Sequence, residues 1–567
     1  MSAQQANADR DEFVFVALGG LGEIGMNVYL YGVGPPDDRQ WLMVDLGLTF
    51  PSDAEPGVDV VLPDLRFIEA ERQSLHGIVI THAHEDHIGA LIELWPSLKA
   101  PVFTTPFAAG MLRAKLAEFG RGLDPKIIEV PSRGKFQAGP FDLEYVAMSH
   151  SIPETSALVI RTPLGTAFHT ADWKRDNDPL VGEPTDETRI AALGGESIDA
   201  LICDSTNALR DGVSPSEAEV AASLAKIITQ QSGRVAITTF SSNVARIKAV
   251  ADAARQTGRQ LVVAGRAIHR VINVAMDTGY LPPDFHYLDQ EHFKHLQARE
   301  VLALVTGSQG EPRAALARIA AGEHRDISLG RGDTVIYSSR IIPGNEKAIL
   351  AIQNQLAANG CRIVTDADGL VHVTGHPRRD ELRQMFEWVQ PQVMVPMHGE
   401  MRHLQENARL ARAAGIPSVA PIVNGQLLRL APGKPKIIDD VPVGRYFRDG
   451  HLIVSSGDGP VRERRKLSFV GLVAVALALT PQGQVLGDID VALDGVPDED
   501  ANGELMEDVV FDAVEGTLDS IPAGKRRDVE RVRDAVRRAV RAAVDQAWGK
   551  RPIVKVLINV VRVKNKS

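Results

Sequence analysis

Thr81-His82-Ala83-His84-Glu85-Asp86-His87 packs imidazoles and carboxylates into one short stretch of the chain. Imidazole nitrogen with carboxylate oxygen is the donor mixture that suits zinc or a similar first-row ion. The apolar run His76-Gly77-Ile78-Val79-Ile80 before it reads as a buried strand, and Ile88-Gly89-Ala90-Leu91-Ile92 after it as the start of a helix. A stray surface loop would lack such flanks. Side chains two apart on extended backbone point the same way, so His82 and His84 reach one ion together. Asp86 and His87, beyond the turn, are displaced far enough to reach a second.

The elements that would position further donors follow the same rule. The strand Trp41 to Val44 closes on Asp45, and strands ending at Met148, Thr170 and Cys203 are followed by His150, Asp172 and Asp204. Val371-His372-Val373 leads into Thr374-Gly375-His376, and Val393 to Met397 ends on His398-Gly399-Glu400. Polar groups at strand ends mark the crevice where α/β sheets place their sites. Together His82, His84, Asp86, His87, His150, Asp172 and His398 suffice for two adjacent metals bridged by one carboxylate.

Ser214-Pro215-Ser216-Glu217 starts a new unit, with a capping box and proline at the first turn of a helix. Strand and helix then alternate: strand Arg234 to Thr239, helix Val244 to Gln256, strands Gln260 to Val263, Val301 to Val305 and Thr334 to Ser338, helix Glu346 to Ala358, strand Arg362 to Thr365. That order implies a parallel sheet. Because histidines at strand ends resume at His376, residues 214–371 read as an insertion between two parts of one domain, 1–213 and 372–440. Residues 441–466, rich in Pro, Gly and charge, read as a linker with a little strand, and 467–567 as a small terminal domain. In it Leu467 to Leu479 and Val485 to Val491 read as strands, Arg527 to Trp548 as a helix striped by Val529, Val532, Val536, Val540 and Val544, and Ile553 to Val563 as a closing strand. No Lys or Arg occurs from Leu467 to Gly524, whereas the following helix is arginine-dense, which reads as a solvated face that pairs with acids.

A chain of 567 residues with 44% hydrophobic and 24% charged residues has the makings of several ordinary globular domains. The polar N-terminus shows no secretory signal, and Leu467 to Leu479 is too short to span a bilayer. Cys203 and Cys361 stand alone, which speaks against a disulfide framework or a thiolate zinc site and for the cytoplasm. A net charge of −11 excludes a global attraction to a polyanion, so any nucleic acid must use a local basic groove.

The H-x-H-x-D-H cluster followed by His150, Asp172 and His398 resembles the metallo-β-lactamase superfamily. The resemblance implies that His82, His84 and His150 hold one zinc, Asp86, His87 and His398 the other, and Asp172 bridges, with Asp45 behind the cluster. Asp204, His376 and His398 fall where the nucleic-acid-processing branch with an inserted β-CASP domain has its extra motifs, and a histidine at the last of these goes with RNA rather than DNA. Phe240-Ser241-Ser242-Asn243, Thr306 to Pro312, Ile342 to Glu346 and Thr374-Gly375-His376 extend the similarity to the bacterial ribonuclease J family over nearly the whole chain.

The implied fold is an αββα sandwich with an inserted parallel α/β domain and a small C-terminal α+β domain. The implied activity is a two-zinc ribonuclease, with Mn2+ or Mg2+ as other ions, that degrades single-stranded RNA from 5′-monophosphate ends and also cuts internally. Asp86 or Asp172 would orient the attacking water, and His376 would either donate a hydrogen bond to the oxygens of the scissile phosphate or protonate the leaving oxygen. Phe240, Ser242, Asn243, Ser338, Ser339, Thr374, Gly375 and His376 would contact RNA, and the chain would form a homodimer or homotetramer away from membranes. One departure stands out: Pro377-Arg378-Arg379 replaces a small residue and a serine common in the family, which implies some tolerance of extra phosphates. A small-molecule hydrolase would not need the long insertion, and a non-catalytic RNA-binding scaffold would have lost ligands.

Overall fold

The computed structural model describes residues 10–562 except 121 and 458. It divides into one unit of Met1–Phe50 with Val60–Tyr446 and another of Pro51–Asp59 with Phe447–Ser567.

Two sheets face each other in the first unit. One runs in the order Lys436–Asp440, Gln426–Ala431, Glu12–Gly19, Val28–Gly34, Gln40–Val44, Leu75–Val79, Val102–Thr104, Ile127–Glu129. The other runs Ser418–Val419, Val393–Met397, Ala200–Asp204, Gly165–His169, Ser156–Thr162, Phe141–Ala147, Lys135–Ala138. Strand alternation sorts the side chains. Phe13, Phe15 and Ala17 point between the sheets onto Tyr145, Leu158 and Ile202, whereas Val14, Val16 and Leu18 point outward onto Ile88, Leu91 and Leu112 of the covering helices. Each such fully buried aromatic or aliphatic side chain contributes about 1.5–3 kcal/mol. Both faces of the first sheet are therefore covered, as an αββα sandwich requires.

The insertion is a separate parallel sheet ordered Leu288–Asp289, Gln260–Ala264, Val301–Val305, Val235–Thr238, Thr334–Tyr337, Arg362–Val364. Its helices Val244–Gln256 and Glu346–Ala358 begin and end where the apolar spacing predicts. A buried ionic chain ties it to the sandwich. Lys174 Nζ lies 2.8 Å from Asp176 Oδ2, Asp176 accepts the backbone N–H of Glu217 at 2.9 Å, and Glu217 meets Arg246 at 2.8 Å. Arg246 also donates to the Val371 carbonyl at 2.8 Å and to the Ser338 hydroxyl. All of these side chains are buried, so their charges are balanced only by one another.

In the second unit the strands Val485–Asp494, Leu472–Leu479 and Ile553–Val560 form one sheet, and helices Met506–Ser520 and Val529–Trp548 pack on it. Val532, Val536, Val540 and Val544 recur every turn and are fully buried against Val473, Val475 and Val510. Two element assignments differ from the sequence reading. Leu467 to Val470 ends a helix, Gly459–Val470, and the strand starts only at Leu472, after Gly471 turns with φ +64°. The little strand expected in the linker is Arg445–Asp449 and Leu452–Ser455. Met506–Ser520, in the stretch without basic residues, is a helix that the sequence reading leaves unassigned. Val563 of the expected closing strand and the first residues of the N-terminus lie outside the described residues. Among the described residues no helix is long and apolar enough to cross a membrane.

Candidate metal centre

The strand Leu75–Val79 delivers Thr81 to His84, and the turn into helix Glu85–Ile88 throws Asp86 and His87 to the other side. His82 Nε2 and His150 Nε2 lie 3.0 and 3.1 Å from His84 Nδ1, and 3.7 and 3.6 Å from Asp172 Oδ2. Across Asp172, His87 Nε2 and His398 Nε2 lie 3.3 and 3.5 Å from the same oxygen, and 3.6 and 3.8 Å from Asp86 Oδ2. Two donor groups therefore share one carboxylate oxygen. In each, the donor atoms all lie within 4.8 Å of one another. The other oxygen of Asp172 is buried without a hydrogen-bond partner, which a buried carboxylate tolerates only if a cation takes it. The residues present thus fit a pair of divalent ions.

Backing groups fix the imidazoles, as ligand histidines require. Asp45 Oδ2 lies 2.7 Å from His87 Nδ1 and accepts the Thr81 hydroxyl at 2.9 Å, while its Oδ1 accepts the Thr81 N–H at 2.8 Å. His398 Nδ1 meets Asn27 Oδ1 at 2.9 Å, Tyr29 donates to that same oxygen at 2.7 Å, and the Asn27 amide donates to the Asp86 carbonyl at 3.1 Å. His150 Nδ1 lies 2.6 Å from the Gly375 carbonyl. Asp45, Ala171 and His398 hold left-handed φ of 63°, 51° and 50°, a conformation costly outside glycine. These kinks turn the strand ends toward the shared carboxylate of Asp172. Glycine is needed at two approaches: a Cβ on Gly47 would stand 1.7 Å from the Asp86 carbonyl oxygen, and one on Gly375 would stand 2.3 Å from the His150 ring.

Electrostatics match the donor role. Burial, with the repulsion of neighbouring imidazoles, holds His82 and His150 well below the usual histidine range, and burial brings His84 down to about 4. These rings are neutral and free to donate a lone pair at physiological pH. Burial opposes ionisation of Asp172, but His398, His87 and His376 outweigh it and keep the carboxyl well below its ordinary value. Burial likewise opposes protonation of His376, yet Asp204 and Asp172 raise it to about 9. Its Nδ1 lies 2.8 Å from Asp204 Oδ2 and 3.9 Å from Asp172 Oδ2.

Comparison with known proteins follows this map. Family models match residues 21–203 as "Metallo-beta-lactamase superfamily", 232–356 as "Ribonuclease J, beta-CASP domain", 362–421 as "Zn-dependent metallo-hydrolase RNA specificity domain" and 459–561 as "Ribonuclease J C-terminal domain". The chain is 52% identical over 555 residues to Ribonuclease J of Sinorhizobium meliloti, covering 98% of both chains. The chain belongs to the ribonuclease J family. It is also 39% identical over 546 residues to Ribonuclease J of Mycolicibacterium smegmatis, with 95% of each covered. A crystal structure of a protein of unknown function from Enterococcus faecalis, 15% identical, superposes with a TM-score of 0.50 over 74% of this chain and 100% of that one. That likeness concerns the fold alone.

Within this ribonuclease J family member, the residues expected at the RNA path fall into two sets. Ser339, Thr374, Gly375, His376, Phe240 and Ser242 are partly exposed. Ser338 and Asn243 are not available to a substrate. Ser338 is fully buried, its hydroxyl donating to the Val371 carbonyl at 2.7 Å beside Arg246. Asn243, equally buried, caps helix Val244–Gln256 by accepting the Arg246 N–H at 2.8 Å. Asp204 does two jobs: Oδ1 accepts the Thr206 N–H at 2.8 Å and Oδ2 holds His376. The sequence reading missed Asn27, Tyr29 and Thr81; a lone buried amide between Met26 and Val28 was the available signal.

Proposed function

We propose that this protein is a two-zinc ribonuclease that hydrolyses single-stranded RNA from 5′-monophosphate ends toward 3′ and also cuts internally. The observation that supports it most is the pair of donor groups sharing Asp172, with His376 on Asp204 beside them. His82, His84 and His150 would hold one ion, and Asp86, His87 and His398 the other, with Asp172 common to both. When bound, such a pair lowers the pKa of water and relieves the charge repulsion that protects a phosphodiester; Mn2+ or Mg2+ would serve by the same ligands. Asp86, the more open of the two carboxylates at 30% exposure against 2%, is placed to orient the attacking water. His376 keeps its Nδ1 on Asp204, so its Nε2 is the atom that would give a proton to the leaving oxygen. Thr374 Oγ1 accepts from Asn207 and from the His376 N–H at 2.8 and 3.3 Å, which leaves its own proton for a terminal phosphate.

The RNA specificity domain match over residues 362–421, which hold His376 and His398, supports RNA over DNA. Both cysteines are free thiols, in keeping with a reducing cytoplasm. Self-association as a dimer or tetramer would use the C-terminal sheet, where Leu557 is 60% exposed; Leu557→Glu should then lower the mass seen by light scattering. The deciding experiment incubates purified protein with end-labelled RNA and matched DNA, with and without a chelator. RNA cleavage that stops on chelation is expected. Persistence in chelator, or DNA cut equally fast, would overturn the reading.

A further inference from the structure

At one side of the His376 loop, hydrogen bonds pin together segments far apart in the chain. The backbone N–H of Arg379 donates to the Arg210 carbonyl at 3.0 Å, and that of Asp380 to the Gly212 carbonyl at 3.2 Å. Arg340 donates to Asn207 Oδ1, and the amide of Asn207 donates to Thr374 Oγ1 at 2.8 Å and to the His376 carbonyl at 3.1 Å. These contacts gather Arg210, Arg340 and Arg378 beside the loop that carries His376.

Nearby cations are compensated and these are not. Arg379 pairs with Asp211 at 2.6 Å and Glu406 at 2.8 Å, and Arg402 with Glu400 at 2.8 Å. Among the described residues, the side chains of Arg210 and Arg378 have no hydrogen-bond or ion-pair partner, and Arg378 Nε is buried without one. Arg340 meets only the neutral amide oxygen of Asn207. Burial and the repulsion of Arg210, Arg378 and Arg402 bring its guanidinium down to about 10, outweighing the opposing charge of Asp366. Guanidinium groups gathered without a carboxylate paired to any of them cost free energy that an anion recovers, and their planar forks match phosphate oxygens.

We propose that Arg210, Arg340 and Arg378 form a second phosphate subsite beside the His376 loop, which takes the β- and γ-phosphates of a 5′-triphosphate RNA end. A terminal monophosphate carries about two negative charges at most, fewer than the cations gathered here; a triphosphate supplies the remainder. The pocket at Thr374 and Ser339 would hold the phosphate nearest the ribose, and the arginines those beyond it. A triphosphate end is then held rather than rejected, which narrows the preference for monophosphate ends. Arg379, paired on both sides, takes no part. The inference rests on the ribonuclease reading for its RNA, but the charge of the subsite stands without it.

The test titrates inorganic tripolyphosphate and orthophosphate separately into the full-length, metal-loaded protein by calorimetry, for the wild type and the Arg210→Ala/Arg378→Ser variant. Tripolyphosphate should bind the wild type about tenfold tighter than orthophosphate, about 1.4 kcal/mol, and the variant should lose that advantage. Unchanged melting temperature and metal content identify a folded variant; should it melt early, exposed Arg210→Ala alone must still weaken tripolyphosphate. Equal tripolyphosphate affinity in variant and wild type would overturn the subsite. RNAs of one sequence bearing 5′-hydroxyl, monophosphate or triphosphate ends then locate the anion. A fall confined to the triphosphate RNA supports the assignment, and an equal fall for all of them would overturn it in favour of a general phosphodiester track. If the wild type cleaves none of these RNAs, the ribonuclease reading fails while the titration still decides the subsite.

Discussion

His376 Nδ1 lies 2.8 Å from Asp204 Oδ2, although the two residues are 172 positions apart. The ion pair keeps the ring protonated to about pH 9 against the cost of burial, and it aims Nε2 away from Asp204. A step that uses this proton runs below that pKa and fades as pH rises through it. Asp204→Asn removes the strongest of the charges that raise it. The alkaline limb of the pH–rate profile should then move down by about one to two pH units. An unmoved limb with a lowered plateau would leave Asp204 only its turn-forming bond to Thr206.

Metal content should be about two ions per chain, because the donors exceed what one tetrahedral site uses. His82→Ala should abolish RNA cleavage and reduce the content to about one ion, with the melting temperature little changed, since no core strand depends on that ring. Asp45→Asn, acting through His87 and Thr81, should weaken metal affinity about 10–100-fold. Elemental analysis of the purified variants checks both, and a wild type that is active with a single ion would refute the paired arrangement.

Gly375→Ala tests the approach to His150. The added Cβ would stand 2.3 Å from the imidazole, so His150 must shift and its bond to the Gly375 carbonyl must break. A displacement of this size at a reacting centre costs about 10²-fold in rate. Turnover should fall by that order with cooperative melting retained. A fully active variant would show that His150 tolerates another position.

Arg246→Met should destabilise the protein by about 3–5 kcal/mol, because it leaves Glu217 buried without its cation. Replacing Glu217 and Arg246 together by apolar residues should recover part of that loss. Chemical denaturation of the single and double variants measures both. A single variant as stable as the wild type would mean that Lys174 alone compensates Glu217.

Local spacing carried much of the site. A strand followed at once by H-x-H-x-D-H determines on its own that His82 and His84 share a side and that Asp86 and His87 fall beyond the turn, because side-chain direction over a few residues is set by backbone geometry. Helices Val244–Gln256 and Glu346–Ala358 were legible for the same reason, since their caps and apolar periods lie inside the elements. The helix Gly459–Val470 was not, because Leu467, Phe469 and Val470 continue without a break into the apolar strand after Gly471.

What only the tertiary structure decided are contacts between groups far apart in the chain. Asn27 meets His398 across 371 positions and His150 meets the Gly375 carbonyl across 225; no periodicity encodes such pairs. Ser338 and Ser339 are identical in sequence, yet just past the strand Thr334–Tyr337 one is buried, held by Arg246 and the Val371 carbonyl, and the other is partly exposed. Likewise Arg378 and Arg379 read as equal departures from the family. Folding brings Asp211 and Glu406 to the guanidinium of Arg379, whereas the acid beside Arg378, Glu381, takes its backbone N–H and, among the described residues, none pairs with its guanidinium, so one charge is consumed by packing and the other is left for a ligand.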